Sequence, residues 1–397
     1  MTPAIAKQPK WHQQLSASFL VNSCAISNDA QRVVACTYYY PYPGTTSNNT
    51  HGTFGTYCFD SAGSQIWKDE YTGNEGVFAV AISGDGKIAA GGGLLSGGKF
   101  GTPPTKGLLR AFNAGTGQKL VDYSGAPKRV NSVSLSGDGS VMAAVAANNL
   151  YVFAQKNGQF PASPAIPLTG GNFLDSVAVH SSGQWLAACD RGGNVYLITV
   201  KNGAVGLTYT WTAPVPIPFL SVAAAQGSET FVVGGGNAIY LFTKASMTQA
   251  GGPAPIAQFT PGGAAPSGQH QNVRWVAISS SGNFVTEVEN VGATGLVRAL
   301  TLSGGALILT PGWGANPISL SHNPNCTSID AAGQYVTACD GEPVGTPGTF
   351  HLLNAASGNV VWDFATNNMN WPMFISADGS AIVAGSDNGT VYYFVVP

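Results

Sequence analysis

The side chains most able to do chemistry in this 397-residue chain are few and scattered. Its six histidines, His12, His51, His180, His270, His322 and His351, form neither a His-x-His pair nor a His-Glu-x-x-His motif, so zinc has no ready donor set. The six cysteines, Cys24, Cys36, Cys58, Cys189, Cys326 and Cys339, contain no Cys-x-x-Cys. Cys36, Cys189 and Cys339 fall at matching places in apolar runs and read as small buried thiols. Cys24 with Cys36, and Cys326 with Cys339, each span one hairpin, so a cross-strand disulfide is the alternative. Asp190, Glu289 and Asp340 sit at one common offset from a repeated turn and offer the oxygens that Ca2+ takes. The plainer role for such residues is to shape turns, as in Asp190-Arg191-Gly192-Gly193. No Gly-x-Ser-x-Gly, P-loop or dinucleotide fingerprint stands between a strand and a helix. The glycine triplets at 91–93 and 234–236 end strands, with no helix dipole behind them to hold phosphate.

These residues are carried by a repeat. A short apolar run followed by Ser-x-Asp-Gly recurs as Ser83-Gly84-Asp85-Gly86, Ser136-Gly137-Asp138-Gly139 and Ser376-Ala377-Asp378-Gly379. Looser copies end at Ala30, Gly183, Ser228, Gly282 and Gly333, which makes eight turns about 50 residues apart. In each copy an apolar strand enters the turn, a strand of small residues leaves it, and a third strand alternates aliphatic and aromatic residues, as in Leu150-Tyr151-Val152-Phe153. A fourth strand is clearest at Gln65-Ile66-Trp67 and Asn359-Val360-Val361-Trp362. No convincing amphipathic helix is present. The eighth copy stops after its third strand, while a spare fourth strand lies around Trp11, 19 residues before Ala30, as Trp67 lies 19 before Gly86. The expected fold is all-β: one domain over residues 1–397, a closed eight-bladed β-propeller of four-stranded blades. Residues 10–16 form the outer strand of the last blade and 17–397 the repeats. Seven blades is the alternative. Closure removes free sheet edges, which otherwise invite aggregation.

Composition narrows the function. Charged residues are 9% of the chain, against about 25% in ordinary domains. A formal net charge of −2 gives no electrostatic reason to bind nucleic acid. Hydrophobic residues at 44% exclude disorder, and no apolar run is long enough for a membrane-spanning helix. Low charge with abundant Gly, Thr and Asn suggests a periplasmic or secreted mature chain; the absence of a signal peptide argues the other way.

The segments joining third and fourth strands, Phe59-Asp60-Ser61-Ala62-Gly63-Ser64-Gln65-Ile66-Trp67, Phe112-Asn113-Ala114-Gly115-Thr116-Gly117 and Leu353-Asn354-Ala355-Ala356-Ser357-Gly358 leading to Trp362, resemble the tryptophan-docking repeat of quinoprotein-type (PQQ-like) propellers. The turns resemble those of WD40-type repeats. The resemblance implies that Trp67 and Trp362 pack between neighbouring blades. The family's quinone lies beside a disulfide of adjacent cysteines. None are adjacent here, so no quinone cofactor is expected; non-catalytic relatives act as binding scaffolds.

The reading that follows is a non-catalytic propeller, expected to be monomeric, that binds a protein or a small uncharged ligand such as a glycan on one face. The alternatives are a propeller lyase or hydrolase at the channel mouth, and a carbohydrate-binding lectin. Residues just before the first strands should ring the mouth: Glu75, Arg129, Asn131, Asp175, His270, Arg274, His322 and Trp371, with Asn74, Asn172, Asn272, Asn325 and Asn370 beside them. The second-to-third-strand connections are longest at 38–57, 91–107 and 341–348, and the first carries Tyr38, Tyr39, Tyr40 and Tyr42. Tyrosine couples apolar area to a polar handle, so this loop is the expected partner-binding segment. No metal site is expected.

Overall fold

The computed structural model describes residues 5–39, 52–73, 75–96, 106–156, 158–161, 166–168, 171–261, 272–291, 294–313, 317–342 and 347–397. Most of these residues lie in strands, paired antiparallel with one exception, and the one helix among the described residues is a single turn, Lys244–Thr248. Hydrogen bonding groups the strands into seven sheets built from four-stranded meanders. One sheet has eight strands because two meanders, one running from Leu20–Ile26 to Gln65–Gly73 and the next from Gly76–Ile82 to Lys119–Ala126, are bridged where Tyr38 faces Gly76. This is the architecture of a β-propeller. The first strands of successive repeats lie against one another, from Leu20–Ile26 round to Asn370–Ile375, which in turn lies against Leu20–Ile26. Second strands such as Val141–Ala146 and Trp185–Asp190 are buried throughout, which explains their small residues.

The repeated turns are built by their own side chains. Ser83 Oγ donates to Asp85 Oδ1 (2.7 Å) and accepts from Ile88 N (3.0 Å), and Gly86 takes φ +69°. Ser136 with Asp138 and Ser376 with Asp378 repeat the pattern. The knotted turns then bond to one another. Asn28 N donates to Gly84 O (3.0 Å), Asp85 N to Gly137 O (2.9 Å) and Gly137 N to Ser181 O (2.9 Å). Ser181 Oγ donates to Gln226 O (2.6 Å), Gly227 N to Ser280 O (3.0 Å) and Ser280 N to Ala331 O (3.1 Å). Ala331 N donates to Ala377 O (3.0 Å), and Asp378 N donates to Asn28 O (3.0 Å), where the series began.

The N-terminal segment joins two sheets. Trp11–Gln14 pairs antiparallel with Thr390–Val395, Trp11 opposite Tyr393, and Ile5–Ala6 lies parallel to Val360–Thr366. Three tryptophans fasten an outer strand to the next repeat. Trp67 Nε1 donates to Ala114 O (2.8 Å), Trp313 Nε1 to Ala355 O (2.7 Å) and Trp11 Nε1 to Ser61 O (3.3 Å). Each indole lies on a glycine of that turn: a Cβ on Gly117, Gly358 or Gly63 would come within 2.8 Å of its tryptophan. These glycines also have φ of +74°, +70° and +89°, so backbone and packing both demand glycine.

Trp362 packs against the following repeat as expected, buried against Phe394 (centroids 5.0 Å), but makes no indole hydrogen bond. The next repeat takes Trp11–Gln14 as its fourth strand and has no third-to-fourth turn to supply a carbonyl. Trp313 makes the hydrogen-bonded contact one junction earlier, to the turn at Ala355 in the repeat that carries Trp362. It sits where the fourth strand of its repeat is split into Ala306–Leu309 and Ile318–Leu320.

Trp67→Ala should cost about 3–5 kcal/mol in denaturant unfolding. Gly117→Ala should cost about 1–3 kcal/mol, through overpacking against Trp67 and the positive φ. Losses well under 1 kcal/mol at both positions would show that the indole does not fasten the repeats.

Candidate functional site at the channel mouth

Each first strand is interrupted at one place. Its register with the second strand slips by a residue between Val21 and Ser23, Val77 and Ala79, Val130 and Ser132, and Leu174 and Ser176. The same slip falls between Phe219 and Ser221, Val273 and Trp275, and Pro324 and Cys326, and again between Asn370 and Met373, where it leaves two first-strand residues unpaired. A bulge re-aims the side chain it leaves unpaired. The skipped residues Asn22, Phe78, Asn131, Asp175, Leu220, Arg274, Asn325 and Trp371 all line a central cavity of about 580 Å³.

Three of these collar residues act as clamps. Asn22 Nδ2 donates to Phe78 O (2.6 Å), Asn131 Nδ2 to Leu174 O (3.4 Å) and Asn325 Nδ2 to Asn370 O (2.7 Å), each reaching the next repeat, and all three are buried. Phe78, Asp175, Leu220, Arg274 and Trp371 stay half-exposed. They leave the cavity a mixed collar of apolar anchors and two charges.

Around the collar the charges are held in pairs. Arg129 lies over the Phe78 ring at 3.9 Å, donates through Nε to Asn131 Oδ1 (3.0 Å) and donates to the Tyr38 hydroxyl. Tyr38 in turn donates to Glu75 Oε2 (3.4 Å). Burial raises the Glu75 carboxyl above the ordinary range, against the pull of Arg129 and Tyr38. Arg191 grips Asp175 with Nε to Oδ2 (2.6 Å) and Nη2 to Oδ1 (2.9 Å).

Of the residues singled out in the sequence, Arg129, Asn131, Asp175, Arg274 and Trp371 line this cavity, whereas Glu75 is buried behind it and is tied to it through Tyr38 and Arg129. Tyr38 joins them by a different route. It ends the strand Arg32–Tyr38, is fully buried, and belongs to the Arg129 cluster rather than to a loop surface. Tyr39 follows half-buried beside Phe19, and His322 lies outside the cavity lining with its backbone N–H donating to Asp340 Oδ2 (3.3 Å). Asn272 accepts from Gly236 N, Asn370 is buried, and Asn172 is exposed. His270, Asn74, Tyr40 and Tyr42 lie outside the described residues, as do the centres of the three long connections.

Sequence reading passed over Asn22, Phe78 and Leu220. The signal was available: every collar residue stands eight positions before its turn, from 22 and 30 or 78 and 86 to 371 and 379.

The three acids weighed for Ca2+ lie in separate repeats with separate partners. Asp190 accepts from Gly192 N, Asn194 N and the Tyr196 hydroxyl, within the turn it shapes. Asp340 Oδ1 accepts from Thr349 N (2.7 Å). Glu289 shares Arg298 with Glu287, all three buried. Among the described residues no trio of His, Cys, Asp or Glu is arranged to hold a metal ion. All six cysteines are free and buried; Cys326 faces Cys339 in register, whereas Cys24 faces Ala35 and Cys36 faces Ser23. Burial pushes the Cys58 thiol up to about 12, which leaves it inert.

No family model matches this chain, and no curated protein matches its sequence. Among solved structures it is similar to Sqt1 from Chaetomium thermophilum at 13% identity and TM-score 0.70, over 98% of each chain. Sqt1 bound to the N-terminus of the ribosomal protein L10 is similar at 13% identity and TM-score 0.69, over 98% of this chain and all of that one. At such identity the likeness concerns the β-propeller fold. Among the described residues no helix is long and apolar enough to cross a membrane.

Two buried charges give a pH signature. Burial, with Glu289 adding to it against Arg298, raises Glu287 from 4.5 to about 8. The folded state then keeps a proton that the unfolded chain releases, so this group's contribution is full below pH 4.5 and falls as pH rises toward 8. For His351, burial opposes the charge, but Asp340 and Asp363 outweigh it and raise the ring from 6.5 to about 9. Its contribution is full below 6.5 and is lost as pH rises through 9. Glu287→Gln should therefore gain stability relative to the parent between about pH 5 and about pH 8 in denaturant titrations. A stability difference independent of pH would contradict the retained proton.

Proposed function

We propose that this chain is a non-catalytic, eight-bladed propeller whose collar holds an extended segment of a protein partner. The observation that carries the reading is the set of bulges. All eight repeats turn one first-strand residue toward the same cavity, and the half-exposed ones combine the aromatic, aliphatic and arginine chemistry of binding anchors. The charged side chains nearby are bound to one another, Asp175 to Arg191 and Glu75 to the Tyr38–Arg129 pair, and neither arrangement sets a nucleophile beside a base. Sqt1, similar in fold, holds the N-terminus of a ribosomal protein in one of its structures, a precedent for a propeller that captures a chain end.

Eight blades in a closed ring are part of this proposal. The series of turn-to-turn hydrogen bonds that returns to Asn28 supports it, as does the pairing of Trp11 with Tyr393. Indoles seated on turn glycines support kinship with the tryptophan-docking, quinoprotein-type repeat. The strands that lead into the long connections, Arg32–Tyr38 among them, end on the collar's side.

Trp371→Ala and Arg274→Ala should each weaken partner binding by about 1–3 kcal/mol, with little change in melting temperature. Gln31→Ala, in a turn at the opposite ends of the strands, should have no effect. Affinity capture with the parent and with the Trp371/Arg274 double variant, followed by titration of the captured protein, checks this. A partner held equally well by the double variant would place the contact elsewhere.

A further inference from the structure

We infer a second binding site, on the outer rim rather than in the channel, that takes a neutral saccharide. It forms where the chain crosses from one sheet edge to the next. Lys7 N still bonds to Asp363 O (3.1 Å) beside the Val360–Thr366 strand, and by Lys10 the backbone has joined Tyr393 O (2.8 Å). Between these edges lies a groove of about 560 Å³, within the size range of small-ligand sites.

The lining has two kinds of surface. The aromatic side is built on buried Tyr392, with Phe364 at 5.4 Å and His12 at 6.1 Å between centroids, tilted against it by 56° and 33°. An aromatic wall suits the C–H face of a pyranose, which packs on it as apolar area. The remaining lining is the carboxamides of Gln8, Gln14 and Asn388 with Thr390 and Pro9. A carboxamide carries donors and an acceptor side by side, and so matches hydroxyl groups, which both give and accept hydrogen bonds. Among the described residues no Asp, Glu, Lys or Arg lines the groove, which disfavours phosphates, nucleotides and acidic sugars.

The site is held in shape before any ligand arrives. Gln14 Nε2 donates to Asn388 O (3.4 Å), Asn388 Nδ2 to the Tyr392 hydroxyl (3.2 Å) and Leu15 N to Gly389 O (2.8 Å). The side chains of Gln8 and His12, both exposed, have no hydrogen-bond partner among the described residues, so their polar atoms are uncommitted at the groove. The rim groove is open and shallow, and its amides come from residues that the sequence marked only as an edge strand.

The test uses the full chain and a panel of neutral and acidic mono- to tetrasaccharides, read by calorimetry and by retention on an array. At least one neutral saccharide should bind, and the His12→Ala/Gln14→Ala double variant should weaken it about tenfold while melting at the parent temperature. Both residues are on the surface, so folding is preserved; if the melting temperature falls, Gln8→Ala alone must still weaken binding measurably. The inference is overturned if no neutral saccharide binds below roughly 10 mM, if only acidic ones bind, or if the variants bind as the parent does.

Discussion

The structure depends on how each repeat is locked to the next. A four-stranded meander of this size buries too little alone, because both of its faces are apolar. Its second strand is sheltered only when a neighbour stands on each side. Two devices enforce that neighbourhood. At one end of the strands, each Ser-x-Asp-Gly turn hands a hydrogen bond to the next. At the rim, Trp11, Trp67 and Trp313 each bridge to the following repeat through an indole seated on glycine. Backbone amides and single indoles leave little freedom in spacing, so the repeats cannot shift independently.

That rigidity makes a collar of single residues useful. A bulge places one side chain per repeat into the channel, and the asparagines at three of these positions turn inward to bind the next strand. The remaining positions differ from repeat to repeat, so the scaffold is regular while the surface it presents is not. Phe78 is the meeting point: its ring carries Arg129, and through Arg129 the Tyr38–Glu75 pair is tied to the mouth. A contact made at the collar is therefore braced by three successive repeats.

Much of this was legible in the sequence, and the failures have physical causes. The turns announce themselves because Ser, Asp and Gly each supply a distinct part of one hydrogen-bonded knot. The N-terminal strand was legible from the Trp11 spacing, which matches that of Trp67. Bulges were not, since a strand read with period two hides a one-residue slip; the constant offset of eight appears only when repeats are aligned on their turns. Trp313 escaped notice because its fourth strand is split and puts the indole outside any strand pattern. Tyr38 was read as loop because it opens an aromatic-proline run, yet it still pairs with Leu20 and Gly76 and so ends a strand. Arg298, the partner of Glu287 and Glu289, comes from the facing strand, a pairing that sequence distance conceals.

The proposed closure of the ring through the N-terminal strand would bind these features into one body. It is tested most directly by removing residues 1–17 and measuring the denaturant midpoint and unfolding slope beside those of the full chain. Loss of Trp11–Gln14 bares the edge at Thr390–Val395 and removes the indole from Gly63. The predicted result is a destabilisation of at least about 3 kcal/mol, the scale of one buried tryptophan, or failure to fold as a monomer. An unchanged midpoint and slope would contradict closure by this strand.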